Sequence, residues 1–221
     1  MKLYLDTGDV EEIRHAVSIG IIDGCTTNPT LIAKSGRKFE VVVKDIAKAI
    51  SQVTDDFTVS AEVLSLTAPE MVKEAIPLTK IDKHVIIKVP CTPEGLTACR
   101  ELTAKKIKVN VTLCFSPSQA LLAAKAGAWC VSPFIGRLDD ISQDGIQLVK
   151  DIRQIYDNYK FPTKILAASI RHPMHVVECA KAGADICTVP YVIYDKLFRH
   201  PLTDSGLKKF MEDWTRSKSN Q

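Results

Sequence analysis

The sequence predicts an α/β fold, a closed (β/α)8 barrel with an extra C-terminal helix. Short apolar runs alternate with amphipathic stretches along the whole chain, which is typical of a parallel sheet. Eight such units fit in 221 residues, and no linker or low-complexity segment separates them. An open doubly wound sheet is the alternative, but no Gly-rich fingerprint follows the first strand. We therefore expect one barrel domain, residues 1–221.

An internal repeat supports eight units of similar length. The sequence AKAGAWCV at 124–131 resembles AKAGADIC at 180–187, and each copy reads as a helix end, a glycine and a strand. Lys125 and Lys181 are 56 residues apart, which is two units of about 28 residues. Eight units of that length roughly fill the chain.

Each element can be assigned in order from its hydrophobic pattern. The predicted strands are Leu3–Asp6, Ile22–Thr27, Thr58–Val63, His84–Val89, Lys108–Leu113, Trp129–Phe134, Lys164–Ser169 and Asp185–Val189. The predicted helices between them include Val10–Ile19, Glu40–Ser51, Pro93–Lys105, Pro117–Ala126, Ile141–Tyr159 and Pro173–Ala182.

Two more helical segments follow the eighth strand, Tyr191–Leu197 and Asp204–Trp214, and the C-terminal helix should span about residues 204–217. A polar tail, Thr215–Gln221, ends the chain. The last helix carries an apolar stripe of Leu207, Phe210, Met211 and Trp214. We expect this stripe to pack on its own barrel, with docking on a neighbouring subunit as the alternative.

Composition excludes several classes of function. The chain is 46% hydrophobic and 25% charged, and its net charge of +3 comes without a basic block, so no nucleic-acid partner is expected. The sequence has neither a signal-peptide core nor a run apolar enough to span a membrane. Seven cysteines, an odd number without a CxxC pair, favour reduced thiols and the cytoplasm.

Lys88 is the most informative residue. It lies near the end of the apolar run His84–Pro90, where burial disfavours the ammonium form and leaves a nucleophilic amine. Such an amine suits Schiff-base chemistry on a carbonyl substrate. Many lysines at strand ends simply reach the solvent, so Lys88 alone does not decide between the two interpretations.

The strand residues predicted to point to the same side of the sheet as Lys88 strengthen the catalytic interpretation. Successive strand residues point to opposite faces, and in a barrel one face is the interior. The inward set predicted from this alternation is Tyr4, Asp6, Thr26, Asn28, Ser60, Glu62, Ile86, Lys88, Asn110, Thr112, Ser132, Phe134, Ala167, Ser169 and Arg171. Its polar members cluster at the C-terminal ends of seven strands, where barrels assemble active sites.

These side chains supply a consistent chemistry. Asp6 and Glu62 can act as acid and base, and Arg137 and Arg171 can hold a phosphate bidentately. Neutral groups suited to sugar hydroxyls are Asn28, Asn110, Thr112 and Ser132. The pair His172 and His175 lacks a third metal ligand nearby, so we expect a helix cap and a surface residue and predict no metal site.

With these residues assembled, the chain resembles the transaldolase family, and in particular its small members, which include the fructose-6-phosphate aldolases. The similarity runs over nearly the whole chain and rests on seven motifs in order. They are Leu5-Asp6-Thr7, Thr26-Thr27-Asn28-Pro29, Ala61-Glu62-Val63, Ile87-Lys88-Val89-Pro90, Asn110-Val111-Thr112-Leu113, Ser132-Pro133-Phe134-Ile135-Gly136-Arg137 and Ala168-Ser169-Ile170-Arg171.

The resemblance implies transfer of a dihydroxyacetone unit through a Schiff base, without metal or cofactor, as a step of the pentose phosphate pathway. Lys88 would attack the ketose carbonyl, Glu62 would move protons through a water, and Asp6 would deprotonate the C4 hydroxyl. Residues implied to orient the substrate carbons are Thr26, Asn28, Asn110, Thr112 and Ser132. Arg137, Ser169 and Arg171 would hold the phosphate.

Two positions distinguish the subtypes within this resemblance. True transaldolases are similar to this chain in having a carboxylate at Glu62 and a phenylalanine at Phe134, whereas the aldolases carry Gln and Tyr. Position 170 is Ile where larger transaldolases often have an aromatic residue, which bears on donor preference. The family's usual substrates are sugar phosphates, and its small members form homo-oligomers, pentamers or decamers. Fructose-6-phosphate aldolase and, more distantly, a non-catalytic phosphosugar-binding barrel remain alternatives.

Overall fold

The computed structural model of the chain describes residues 1–219. Its strands are β1 (Lys2–Asp6), β2 (Gly24–Thr26), β3 (Thr58–Glu62), β4 (Val85–Pro90), β5 (Val109–Cys114), β6 (Cys130–Pro133), β7 (Lys164–Ala167) and β8 (Ile186–Val189). Its helices are α1 (Val10–Ile19), α2 (Pro29–Lys34), α3 (Phe39–Ile50), α4 (Ala68–Leu78), α5 (Pro93–Ala104), α6 (Pro117–Lys125), α7 (Ile135–Asp139), α8 (Gly145–Tyr159), α9 (Pro173–Lys181), α10 (Tyr191–Lys196) and α11 (Pro201–Ser219).

The eight strands close into a parallel barrel in sequence order, because β1 pairs with both β2 and β8. The predicted (β/α)8 fold is therefore confirmed, including a helix at the C-terminus. The internal repeat also has a structural counterpart. Gly127 and Gly183 both follow helices in the left-handed conformation, at φ values of 85° and 81°, before the chain enters the next strand.

Two apolar layers fill the molecule. The larger lies between the strands and the surrounding helices, and the smaller fills the barrel interior with Tyr4, Ile86, Cys130, Leu166, Ala168 and Ile186. Tyr4 takes so much interior space that its neighbour in the register is glycine. A Cβ on Gly24 would lie 2.5 Å from the Tyr4 ring, so only glycine fits there. This apolar floor supports the polar strand ends above it.

The predicted inward phase is wrong for the seventh strand. Leu166 and Ala168 face the interior, while Ala167 lies in the layer between sheet and helices. Ser169 nevertheless reaches the interior side because its backbone is left-handed, at a φ of 61°, which interrupts the alternation. A period of two predicts a side chain's direction only while the backbone stays extended.

Helix boundaries also differ from the prediction. The predicted helix at 141–159 begins at Gly145, because Ser142 is left-handed at a φ of 63° and separates α7 from α8. Asp144 caps α8 by accepting a hydrogen bond from the Gln147 N–H. Helices α2, α4 and α7 are not among the examples named from the sequence, and α4 contains Pro77 near its C-terminal end.

The C-terminal helix does not pack its apolar stripe on the barrel, contrary to the preferred expectation. Phe210 is 71% exposed and Trp214 is 60% exposed, and Leu207 and Met211 are exposed as well. The helix continues through Ser219, into the predicted polar tail, whose last two residues lie outside the described part. Among residues 1–219, no helix has the length and apolar character needed to cross a bilayer.

All seven cysteines lie within the described residues as free thiols. Six of them are buried, and Cys91, just after β4, is partly exposed. They behave as small core residues, in agreement with the expectation from their apolar sequence contexts.

Candidate active site

A cavity of about 160 Å³ opens at the C-terminal ends of the barrel strands. Most of the residues chosen from the sequence line it, namely Asp6, Thr26, Asn28, Lys88, Thr112, Ser132, Phe134, Arg137, Ser169 and Arg171. The two others lie directly beside this lining. Glu62 contacts Lys88, and Asn110 contacts Ser132.

Lys88 is held in the barrel wall by Glu62 of the neighbouring strand β3 and by the backbone that follows β2. Its side chain is 7% exposed, and its Nζ lies 3.0 Å from Glu62 Oε2 and donates to the Thr27 carbonyl at 3.3 Å. Glu62 and Lys88 are opposite each other in the parallel register of β3 and β4. The arrangement gives a buried primary amine a carboxylate within proton-transfer distance.

Asp6 is the second carboxyl group of the site. Burial raises its pKa above the ordinary value of 3.8, while a hydrogen bond from Thr26 and the positive charge of Lys88 oppose the rise. The Thr26 hydroxyl donates to Asp6 Oδ1 at 2.7 Å. Because that hydroxyl proton is committed, Thr188, 2.8 Å away, donates to Thr26 in turn. A carboxyl group with a raised pKa is a stronger proton acceptor than an ordinary aspartate, which suits a catalytic base.

Thr188 was not predicted as a site residue, although it lines the cavity. The strand alternation contains the signal, since the inward residue of β8 is Ile186 and two positions later comes Thr188. The predicted inward set covers seven strands and does not extend to β8.

A hydrogen-bonded row of neutral side chains forms one wall beside the amine. Ser132 donates to Asn110 Oδ1 at 2.8 Å, and the Asn110 amide donates to Ser60 at 3.3 Å. The Thr112 hydroxyl is buried and has no partner within the described residues. Asn28 caps α2 through its Oδ1. The Ser132 oxygen, the Thr112 hydroxyl and the Asn28 amide can thus all contact a polyhydroxylated ligand.

Two arginines lie at the outer edge of the cavity. The Arg137 guanidinium stacks 4.9 Å from the centre of the Phe134 ring, and Arg171 donates to Asp140 at 2.9 Å while 48% exposed. Ser169, in the same loop as Arg171, accepts a hydrogen bond through its carbonyl from the N–H of Gly136, the residue before Arg137, at 2.9 Å. Two forked cations and a hydroxyl next to one opening suit a phosphate group.

The histidine pair differs from the expectation. His172 is at the N-cap position of α9, but its side chain makes no capping bond. His175 is buried rather than on the surface, and it lies 2.9 Å from Asp139. Within residues 1–219, no three His, Cys, Asp or Glu side chains form a group that could hold a metal ion.

Comparison with solved structures reproduces the fold. Thiamine phosphate pyrophosphorylase from Pyrococcus furiosus superposes with a TM-score of 0.58 at 18% identity, over 86% of this chain and 85% of that protein. A structure described as native KDPGal superposes with a TM-score of 0.60 at 16% identity, over 91% and 86%. At such identities the likeness concerns the barrel alone.

The family is decided by sequence. The sequence model described as Transaldolase/Fructose-6-phosphate aldolase matches residues 3–220. The chain belongs to the transaldolase/fructose-6-phosphate aldolase family. A relative named probable transaldolase from Geobacter sulfurreducens is 56% identical, over 97% of this chain and 98% of that protein. One of the same name from Leptospira biflexa is 54% identical, over 96% and 97%. The resemblance read from the seven motifs is therefore confirmed for this family.

Proposed function

We propose that the protein is a transaldolase that moves a dihydroxyacetone unit from a ketose phosphate to an aldose phosphate. The donors would be fructose 6-phosphate or sedoheptulose 7-phosphate, and the acceptors erythrose 4-phosphate or glyceraldehyde 3-phosphate. The observation that carries the proposal is the buried Lys88 amine, 3.0 Å from Glu62, at the rim that Asp6 and the two arginines also line. The names of its relatives support the same activity.

The first step forms a bond between Lys88 Nζ and C2 of the ketose. Glu62 is the base beside the amine, which must lose a proton before its lone pair can attack. The C2 oxygen then leaves as water after accepting a proton, and the nitrogen becomes an iminium ion. Glu62, through a water, returns protons in the order required, so one carboxyl group serves as both acceptor and donor.

The second step breaks the C3–C4 bond of the iminium intermediate. Asp6 takes the C4 hydroxyl proton, the C4 oxygen becomes the aldehyde oxygen of the released aldose phosphate, and the bonding electrons move to C3 to form an enamine on Lys88. The raised pKa of Asp6 makes it a better proton acceptor than an ordinary aspartate. In the reverse sense, the enamine attacks an acceptor aldehyde, and Asp6 returns the proton.

Phe134 favours transfer to an acceptor over release of free dihydroxyacetone. Its ring lines the same cavity as Lys88 and meets the Phe115 ring edge to face, at 5.6 Å between ring centres, and it carries no hydroxyl. A tyrosine at this position, as in the aldolases of the family, could donate a proton to the enamine carbon. With phenylalanine there, the enamine persists until an aldehyde arrives.

The deciding measurement is release of glyceraldehyde 3-phosphate from fructose 6-phosphate with and without erythrose 4-phosphate. We expect sustained release only with the acceptor and a single turnover without it. Phe134→Tyr should increase acceptor-free release by about tenfold or more, since a positioned acid contributes about 10²–10⁴-fold. Phe115→Tyr adds the same hydroxyl to the neighbouring ring and is the matched control. Equal rates with and without acceptor in the natural protein would instead assign it as an aldolase.

The phosphate role of Arg171 leads to a separate expectation. Arg171→Ala should raise KM for fructose 6-phosphate by about 10–100-fold, because a charge-assisted hydrogen bond is lost. KM for unphosphorylated fructose should change by less than about twofold. Lys196→Ala, at an exposed position on α10, is the control for a general loss of positive charge. Parallel losses for both sugars would remove Arg171 from phosphate recognition.

We also propose that the exposed stripe on α11 is covered by a second copy of this chain, in a homo-oligomer of the pentamer or decamer kind formed by small family members. The stripe consists of Leu207, Phe210, Met211 and Trp214, and an uncovered aromatic and aliphatic surface of this kind marks an interface. Phe210→Ser with Trp214→Ser should lower the mass measured by light scattering toward that of a monomer. Lys209→Ser on the same helix should leave it unchanged. An unchanged mass in the double variant would contradict the assignment.

A further inference from the structure

His175 has both of its ring nitrogens engaged beside the outer edge of the cavity. It lies in the first turn of α9, and its ring is buried. The Arg171 backbone N–H donates to Nδ1 at 3.3 Å, and Nε2 lies 2.9 Å from Asp139 Oδ2. Since Nδ1 accepts and Asp139 is an acceptor, the ring is neutral with its proton on Nε2.

The two contacts of His175 connect the segments that carry the arginines. Asp139 ends α7, the short helix that contains Arg137, and its other oxygen accepts from the Gly145 N–H at 3.0 Å. Arg171 belongs to the loop after β7. The bond from Asp139 to the ring and on to the Arg171 backbone therefore fixes the distance between the two segments.

A second feature shows how closely these segments must approach. The Gly136 N–H donates to the Ser169 carbonyl at 2.9 Å, and a Cβ at position 136 would lie 2.2 Å from that oxygen. No side chain separates the two backbones at this point. The inner contact between the segments is therefore made by backbone alone, and the outer contact runs through the His175 side chain.

We propose that His175 is a positioning residue for phosphate recognition: as a neutral ring it holds the Arg171 backbone against the Arg137 segment, and its protonation releases that hold. The proposal rests on the proposed function, since it assumes that both arginines bind the substrate phosphate. It makes phosphate binding depend on pH through a residue that does not itself contact the substrate.

The surrounding charges determine the direction of that dependence. The charged and titratable groups that face the ring are Asp139 on α7, His172 at the start of α9 and Arg171 in the loop between. Burial lowers the pKa of His175, His172 lowers it further, and Asp139 opposes the change. The ring therefore stays neutral below pH 6.5, the ordinary pKa of histidine. As the pH falls through the lowered pKa of His175, the ring is protonated and no longer accepts the hydrogen bond from the Arg171 N–H.

The test uses three variants of the full chain. His175→Phe keeps the ring shape but can neither accept nor donate, and KM for fructose 6-phosphate should rise about three- to tenfold, the factor for one lost hydrogen bond, with kcat unchanged. His175→Asn places Oδ1 where Nδ1 was and should restore KM at pH 8. KM for unphosphorylated fructose should be the same in all of them.

The pH profile separates positioning from a merely structural role. KM of the natural protein for fructose 6-phosphate should rise at low pH more steeply than that of His175→Asn, which shares the titration of the substrate phosphate but has no ring to protonate. His172→Gln should shift the midpoint of that rise to higher pH, because the neighbour that disfavours the cation is gone. This variant keeps the test decisive even where His175→Phe folds poorly.

Two results would overturn the proposal. One is an unchanged KM in His175→Phe, and the other is an equal loss for phosphorylated and unphosphorylated sugars. Borohydride trapping of fructose 6-phosphate on Lys88 is the accompanying measurement. If trapping is absent in the natural protein, the proposed function has failed; if it is present and KM is indifferent to His175, only this inference has failed.

Discussion

Lys88→Met should reduce transfer by at least about 10⁴-fold, because no other residue of the described cavity lining carries an amine that can form the covalent intermediate. Methionine has a similar length but no nucleophilic nitrogen. Reduction with borohydride in the presence of fructose 6-phosphate should add the mass of a reduced three-carbon adduct to the natural protein and none to the variant. Peptide mapping should assign the adduct to residue 88.

Lys88→Arg separates the nucleophile from the charge. Arginine can still pair with Glu62, so the partly buried carboxylate keeps a cation beside it and the barrel should unfold near the natural temperature. It remains protonated and cannot form a Schiff base, so activity should be lost as completely as with methionine. Substantial turnover in either variant would contradict covalent catalysis by Lys88.

Asp6→Asn is expected to reduce kcat by about 10²–10⁴-fold, the usual contribution of a positioned acid or base. The amide is similar in shape but cannot accept the C4 hydroxyl proton. Adduct formation on Lys88 with free dihydroxyacetone should persist, because that reaction needs no C3–C4 cleavage. Single-turnover release of the aldose phosphate, compared with borohydride trapping, measures the two steps separately.

Asp6→Asn should lower activity but should not lower the free energy of unfolding. Burial raises the pKa of Asp6, so the folded chain binds that proton more tightly than the unfolded chain does. Stability from this group is therefore present at low pH and lost as pH rises through the raised pKa. Above the raised pKa the ionised carboxylate destabilises the fold, and there Asp6→Asn should unfold at an equal or higher temperature than the natural protein. A large drop in unfolding temperature would show that Asp6 is structural rather than catalytic.

Thr26 provides the matched test of pH dependence. Its hydroxyl stabilises the ionised form of Asp6. Thr26→Val removes this hydrogen bond, so activity should disappear at a higher pH as the solution is acidified. Thr188→Val removes the donor behind Thr26 and should shift the profile in the same direction by a smaller amount. A profile that shifts downward in either variant would contradict Asp6 as the titrating base.

Sequence periodicity predicted the barrel because the alternation of strands and helices is a property of local hydrophobic pattern. It failed where the backbone leaves the regular dihedral regions. Ser169 and Ser142 both have a positive φ, which no residue type at those positions announces. One interrupts the alternation after β7, and the other separates α7 from α8.

Most of the cavity lining was predictable from the sequence, whereas the contacts made around it by distant segments were not. Charged and amide residues at strand ends, such as Lys88 and Asp6, stand out in an apolar pattern. Thr188 was missed because the inward alternation was not applied to β8, although Ile186 and Thr188 follow it. His175 was assigned to the surface since spacing alone cannot show that Asp139 and the Arg171 backbone approach it from other segments.

The rates at which a thiol reagent modifies the seven free cysteines report how the fold opens locally. Their positions are spread around the molecule, with buried members on β2, α5, β5, β6, α9 and β8. A thiol-reactive probe should modify Cys91 first, since it is the partly exposed one, and the others only as fast as their surroundings open. At reagent concentrations where modification is faster than reclosing, the six buried cysteines share one rate if the barrel unfolds as one cooperative unit. If one pair of neighbouring strands separates first, the cysteines next to that pair react before the others.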